Sequence, residues 1–341
     1  MSASMTAPVL GAAVIGLGVG EQHAHAYAAH PAVGAVWLYD QNQEQTQAVA
    51  QRVAGARIAR SFDELLRNPQ VQILSIASFD DDHYEQVVAA LTAGKHVFVE
   101  KPLCRSFAEL KRIHALWSAA GGRLRLGSNL ILRAAPLYRW VKAQLALGAF
   151  GELYAVDGDY LYGRIHKVTE GWRREVENYS VIQGGGIHLL DLMLWLTGRR
   201  PATVTAAGNR ISTAGSAFRY NDYCAATLHF DGGLIARLSA NYGCVHRHQH
   251  VLRMFGTSAT LIYDDAGARL HETRDPAQAA RRLEQSPLPA AKGDLIPGFI
   301  ASIIDNTDYT AETQSVFDGI CVALACDRAS GSGKMEAVEY V

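Results

Sequence analysis

Glycines at positions 16, 18 and 20 directly follow the apolar run Ala12-Ala13-Val14-Ile15. Glycine lets a backbone turn sharply and come close to a ligand. Where such a turn opens a helix, the free N–H groups and the positive dipole end favour a diphosphate. Gly16-Leu17-Gly18-Val19-Gly20 therefore reads as a dinucleotide cradle, although Glu21 stands where the usual G-x-G-x-x-G pattern has its third glycine. Asp40 closes the next apolar run, where a carboxylate accepts hydrogen bonds from an adenosine ribose. Taken alone, Asp40 is also what a solvated strand end looks like. Gln41 and Asn42 behind it bring no cation for a 2′-phosphate, so the expected cofactor is NAD rather than NADP.

Two further constellations carry acid–base chemistry. The stretch Gly94-Lys95-His96-Val97-Phe98-Val99-Glu100-Lys101-Pro102 is an apolar strand ending in adjacent Glu and Lys and stopped by proline. Ligands of open α/β sheets sit beyond the carboxyl ends of strands, so Lys101 points toward the cofactor crevice; the alternative is a surface ion pair. Gly184-Gly185-Gly186-Ile187-His188-Leu189-Leu190-Asp191 leads into an apolar helix reaching Trp195. On a helix, His188 and Asp191 share a face, which lets the carboxylate support the imidazole.

The elements that must position these groups change character along the chain. From Ala12 to about Val99, strand-like runs (AAVIGLG, VWLYD, ILSIAS, HVFVE) alternate with helical stretches such as Gln41 to Ala54, Ser61 to Arg67 and His83 to Ala93. That alternation implies right-handed crossovers around a doubly wound parallel sheet. After about Gly127 come helices near Pro136 to Leu147 and Ile187 to Leu196. They are accompanied by glycine-bounded runs rich in Val, Thr, Tyr and Leu, among them GELYAVDGDYLYG, YCAATLHF and HVLRMFG. This is the texture of an α+β domain with a large open, mainly antiparallel sheet. The expected division is an NAD-binding Rossmann domain over 1–126 and a substrate and oligomerisation domain over 127–341. The segment from Asp275 to Gly293 reads as a surface loop.

The strand-G-x-G, the SIASFDDDHYEQVVAALTAGKHVFVEKPL stretch and the later GGGIHLLD resemble the glucose-fructose oxidoreductase, inositol dehydrogenase and rhizopine-catabolism (Gfo/Idh/MocA) family over nearly the whole chain. The resemblance implies a Rossmann domain followed by an open-sheet domain, in a homodimer or homotetramer formed through the second-domain sheet. It assigns the lysine of the family's E-K-P to Lys101, and Ser78 and His83 to the loop after the fourth strand. Asn129, Arg133 and Pro136 fall on the family's N-x-x-x-R-x-x-P stretch, and His188 on G-x-H-x-x-D. One departure matters: many members carry an aspartate four residues before this histidine, and this chain has Gly184.

The combined expectation is an NAD-dependent dehydrogenase or reductase acting on a sugar, polyol, uronate or nucleotide-sugar. Lys101 and His188 are its catalytic groups. The cofactor is held by Gly16, Leu17, Gly18, Val19, Gly20, Asp40, Ser78, Phe79, His83, Glu100 and Lys101. The substrate is met by Lys101, Asn129, Arg133, Trp172, Arg173, Tyr179, His188 and Asp191, with Tyr179 or Asp191 able to stand in for the missing acid. The alternative is an NAD-binding sensor or catalytically silent relative. No metal is expected: His246, His248 and His250 would share a strand face but have no acid or cysteine cluster beside them. Asp80-Asp81-Asp82 reads as a helix-capping cluster. A formal net charge of -1 provides no field to attract nucleic acid or an anionic membrane. Five cysteines without a C-x-x-C pair fit reduced thiols in the cytoplasm. The first ten residues carry no basic cluster, and the apolar run behind them is too short to span a bilayer.

Overall fold

The computed structural model describes residues 10–341, so most of the ten-residue N-terminal stretch lies outside the described residues. Its contacts divide the chain into two units. The first runs through Ile131 and is rejoined by Ala290–Phe317; the second comprises Leu132–Pro289 and Asp318–Val341.

The first unit is a parallel sheet with crossover helices. Its elements are β1 (Leu10–Ile15), α1 (Gly20–Ala29), β2 (Val33–Tyr39), α2 (Gln43–Arg52), β3 (Ala56–Ile58), α3 (Phe62–Arg67), β4 (Ile73–Ile76), α4 (His83–Thr92), β5 (His96–Val99), α5 (Phe107–Ala119) and β6 (Leu126–Ser128). The strand order is β3-β2-β1-β4-β5-β6, with parallel pairing throughout. The order reverses between β1 and β4, and a crevice forms at the carboxyl ends of strands on either side of such a reversal. β1 is buried along its whole length, as its unbroken apolar run requires. β3 and β6, three residues each, leave too short a periodic signal to read from sequence.

The second unit is built on a nine-stranded sheet. Helices α6 (Pro136–Ala146), α7 (His166–Thr169) and α8 (Ile187–Thr197) accompany strands β7 (Leu153–Leu161), β8 (Pro201–Asn209), β9 (Tyr223–Phe230), β10 (Ile235–Asn241), β11 (Gln249–Gly256), β12 (Thr260–Asp264), β13 (Gly267–His271), β14 (Arg281–Leu283) and β15 (Glu336–Ala337). The order is β14-β13-β12-β11-β7-β10-β9-β8-β15. Only the β7–β10 pair is parallel, so the sheet is mixed and mostly antiparallel. α8, apolar on nearly every side, packs on one face of β7. A Cβ on Gly158 would stand 2.5 Å from Met193 Cε, so that glycine leaves room for the end of the methionine side chain. β14 falls inside the segment read as a surface loop, where three residues of strand are masked by the surrounding Ala, Pro and charge.

Two further helices, α9 (Ile296–Ile304) and α10 (Thr310–Ser332), lie between β14 and β15. α9 returns to the first unit, where Ile296, Phe299 and Ile300 join Val14, Leu38 and Phe98 in one core. Each fully buried side chain of this kind contributes about 1.5–3 kcal/mol. No local pattern announces this return, because it is written in tertiary contacts alone. Among the described residues no helix is long and apolar enough to cross a membrane.

Candidate active site

At the switch point, Gly16 has φ +80°, and a Cβ there would lie 2.5 Å from the backbone of Ala77 and Ser78. The loops after β1 and β4 therefore touch backbone to backbone, which only glycine allows. A Cβ on Gly20 would stand 3.0 Å from Val14 Cγ1 and 3.1 Å from Ala77 Cβ. Gly20 thus takes the close helix–strand packing that the third glycine of the usual pattern serves. Glu21 instead accepts a fork of bonds from Arg52, at 2.6 and 3.0 Å. Gly18 and Val19 are exposed, and no side chain caps the start of α1.

Asp40 braces this turn from β2. Its Oδ2 accepts the Leu17 N–H at 2.7 Å and its Oδ1 the Asn42 N–H at 2.9 Å. A carboxylate offers about four acceptor positions, so capacity for a ribose diol remains. The uncapped helix start and this carboxylate fit an NAD diphosphate and adenosine ribose.

The neighbouring loops are braced in turn. Ser78 Oγ donates to Gln86 at 2.7 Å. His83, fully buried, places Nδ1 2.7 Å from the Pro102 carbonyl and Nε2 3.3 Å from that of Ser78, pinning together the loops after β4 and β5. Phe79 is half exposed. Asp82 stands at the start of α4 without making a side-chain cap, so the acid cluster does not cap through it; burial, then Asp81, pushes its carboxyl up. Lys101 is part-buried immediately after β5. Glu100 and Asn129 turn inward instead: the Asn129 amide, 1% exposed, donates to Glu100 Oε1 at 2.7 Å.

In the second unit, a π-helical turn, Ile182–Gly186, delivers the chain into α8; such turns recur at functional sites. Asp327 on α10 holds it, accepting from Ser180 Oγ and Gln183 Nε2 at 2.7 Å each. Burial pushes the Asp327 carboxyl up, against those two bonds. A Cβ on Gly184 would lie 2.3 Å from Tyr179 Oη, and one on Gly185 2.3 Å from Tyr160 Cε1 and 2.6 Å from Tyr242 Oη. The space an aspartate at 184 would need is occupied by tyrosine rings and hydroxyls. Tyr179 and Tyr242 share a hydroxyl contact at 3.3 Å.

His188 is half-buried in the first turn of α8. Its ring lies 6.3 Å from Tyr160, near parallel, and 5.8 Å from His250, perpendicular. The register explains the cluster: Tyr160 on β7 pairs directly with His250 on β11. His248 stacks edge-on at 4.9 Å from His250. His246 departs from the alternation, because β11 begins only at Gln249, and binds Asp265 at 2.8 Å. Among the described residues no group of three or more metal-ligating side chains occurs. Asp191 is spoken for by Arg133, whose Nε donates to Oδ2 at 2.8 Å while Nη2 reaches Oδ1. This buried pair ties the turn at Ile131–Ala134 to α8, and the carboxylate is committed to a guanidinium. Arg173 stacks on Trp172 at 4.5 Å, and Arg174 pairs with Glu175 at 2.6 Å.

The sequence reading passed over His23, Tyr160, Tyr242 and Asp327, and weighed His250 only as a metal ligand. The alternations Tyr160-Leu161-Tyr162 and His248-Gln249-His250 were usable signals, since period two places both pairs on one sheet face. Nothing local marks Asp327.

The strand order, the glycine turn and the Asp40 brace define a dinucleotide-binding Rossmann unit joined to an open-sheet unit. Residues 10–128 match the family model of the oxidoreductase family with an NAD-binding Rossmann fold, and residues 138–262 that of the GFO/IDH/MocA C-terminal domain. The chain belongs to the Gfo/Idh/MocA family. An inositol 2-dehydrogenase of Gluconacetobacter diazotrophicus is 26% identical over 97% of both chains. An uncharacterized oxidoreductase of Synechocystis is 31% identical over 61% of this chain. The matches to it and to uncharacterized oxidoreductases of Rhizobium meliloti and Streptococcus pneumoniae span 56–65% of those proteins' lengths. A levoglucosan dehydrogenase solved with NADH and levoglucosan shares the fold, with TM-score 0.84 and 18% identity over 97% of this chain and 100% of that one.

Proposed function

We propose that the protein is an NAD-dependent oxidoreductase that moves a hydride between the nicotinamide and a carbinol or ketone carbon of a sugar, polyol, uronate or nucleotide-sugar. The observation that carries this reading is the end of β5. Lys101 follows directly on a buried, hydrogen-bonded Glu100, in the loop where open α/β sheets meet their ligands. The relatives named for inositol and levoglucosan support the polyol and sugar part of this range.

Gly16 to Gly20 receive the diphosphate at the start of α1, and Asp40 receives the ribose. The bound cofactor supplies the hydride acceptor or donor. In the oxidation direction the His188 imidazole takes the proton of the substrate hydroxyl, and the Lys101 ammonium stabilises the developing alkoxide. Reduction reverses both roles. Trp172, Arg173 and Tyr179 are the substrate-contact candidates this reading retains; Asn129, Arg133 and Asp191 are engaged inside their own units.

A second reading, a cofactor-binding sensor, is favoured by the tyrosine hydroxyls filling the position of the missing aspartate. A spectrophotometric screen of sugars, inositols, uronates and nucleotide-sugars separates the two. Reduction of NAD by any of these substrates supports the enzyme, whereas tight NAD binding with no turnover across the panel supports the sensor.

The same proposal includes a homodimer or homotetramer in the cytoplasm. Along β7, β9 and β10 one set of alternate side chains is buried. The other set, with Asp157, Thr227 and Arg237, stays partly exposed on a broad sheet face. Five free thiols agree with a reducing compartment. Light scattering tests the assembly: Thr227→Arg should yield monomers, and an unchanged mass would reject this face.

A further inference from the structure

A buried polar cluster in the first unit is not used by the chemistry above. His23 is fully buried on α1, just past the glycine turn. Its Nδ1 lies 3.0 Å from Ser75 Oγ on β4, and its Nε2 3.3 Å from Glu100 Oε1. Asn129 Nδ2 donates to that same carboxylate oxygen at 2.7 Å and to the Lys292 carbonyl at 3.0 Å. An amide nitrogen carries two hydrogens, and these two acceptors use both. The 3.0 Å approach of His23 Nε2 to Asn129 Nδ2 is therefore not a third bond, and Nε2 directs its own hydrogen at Glu100. The other carboxylate oxygen, Oε2, lies 3.3 Å from the Lys101 N–H, which donates to it.

Burial alone would push the Glu100 carboxyl up. The hydrogen bond and charge of His23, the charge of Lys101 and the Asn129 amide together hold it well below the usual carboxylate range. The fold thus keeps an anion largely inside the protein, its side chain 13% exposed. An inward carboxylate with assigned donors on both oxygens is an orienting device, since removing one partner of a buried charge is costly.

We propose that His23 is a positioning residue for Lys101: through Glu100 it fixes the strand-end peptide that carries the lysine and ties that peptide to the helix opening at the glycine turn. The inference rests on the catalytic reading of Lys101. It gives Glu100 a role that faces away from the cofactor, and it makes α1 the common support of the diphosphate turn and the lysine.

The test compares two polar replacements of one side chain. His23→Gln keeps an N–H donor near the reach of Nε2, toward Glu100. His23→Asn keeps one only near Nδ1, toward Ser75. On the cofactor-free protein, hydrogen exchange should accelerate across residues 97–103 in His23→Asn, stay unchanged across Leu10–Ile15, and be largely restored in His23→Gln. With a turned-over substrate, kcat of His23→Asn should fall about 10- to 100-fold, the scale of a small misplacement of a reacting group. NAD affinity should change little, and His23→Gln should recover most of the loss. Equal behaviour of the two variants in exchange and in kcat would reduce His23 to packing and overturn the proposal. Should either variant fail to fold, Glu100→Gln carries the same comparison, because it removes the anion and keeps the shape; wild-type exchange and kcat in that variant would likewise overturn it. Lys101→Met, measured alongside, separates the two levels of the argument. Wild-type turnover in Lys101→Met sinks the catalytic reading and this inference with it, whereas an inactive Lys101→Met beside a wild-type-like His23→Asn sinks this inference alone.

Discussion

The cluster around Glu100 and the cluster around His188 hold their functional groups by different means. In the first unit, His23, Ser75, Asn129 and Glu100 are linked by directed polar contacts of 2.7–3.3 Å. In the second unit, His188 stands among rings: Tyr160 is in ring contact with His188, Tyr242, His248 and His250, and His250 with His188 and His248. Hydrogen bonds fix direction; ring packing fixes volume. On the proposed roles, a lysine that aims a charge calls for the first, and an imidazole that exchanges a proton is served by the second. Substitutions in the first unit should therefore act through lost alignment, and those in the second through lost shape.

The largest expected effect breaks the first side of the comparison. Lys101→Met keeps the stem and removes the charge, so kcat should drop about 10²- to 10³-fold with modest change in NAD affinity. Single-turnover kinetics and cofactor titration measure the two parts, and unchanged turnover removes Lys101 from the mechanism. On the other side, His188→Asn should lower kcat by about 10²-fold or more, while Tyr179→Phe keeps most of it. An active His188→Asn beside a dead Tyr179→Phe would transfer the proton to the tyrosine.

Shape is tested by Gly184→Asp. Its Cβ would begin 2.3 Å from Tyr179 Oη, an overpacking expected to cost about 1–3 kcal/mol. Thermal unfolding should show the loss, and Tyr179→Ala in the same chain should recover much of it; a Gly184→Asp protein of wild-type stability would mean the rings yield easily. Alignment is tested by Asp40→Ala, which removes the brace on Leu17 N–H as well as the proposed ribose acceptor. The preference for NAD(H) over NADP(H) should narrow about tenfold, as expected for the loss of about 1.4 kcal/mol. A wild-type preference for NADP(H) would refute the ribose assignment.

The smallest effect is on acid stability. The Glu100 carboxyl titrates lower in the folded chain than its ordinary value, so its contribution is complete above that ordinary value and fades as pH falls below it. Between about pH 5 and pH 2, the wild type should lose more stability than Glu100→Gln. Parallel melting curves across that range would remove Glu100 from the account.

Much of the first unit was legible because its signals are local. A glycine turn after a buried strand, an acid ending the next strand and Glu-Lys-Pro ending another each carry their physical reason within a few residues. The direction in which a side chain turns is not local. Glu100 and Asn129, read as ligand contacts, face each other inside the fold, and Asp191 shares a helix face with His188 yet binds Arg133 from another element. The ring cluster depends on the β7–β11 register, which strand patterns do not reveal. Why glycine stands at 184 and 185 is likewise not local: the space a side chain would need there is taken by tyrosines that the strands and loops bring in from elsewhere.

The contact between Gly184 and Tyr179 also constrains the order in which this site could change over evolutionary time. An acid at 184 meets the tyrosine hydroxyl at once, so a lineage that acquires the acid first passes through a destabilised intermediate. A lineage that first trims Tyr179 opens a void that the acid then fills. The two positions behave as an exchangeable pair with one passable route between their states. A library that varies position 184 alone would miss it, whereas one that varies 179 and 184 together samples both ends.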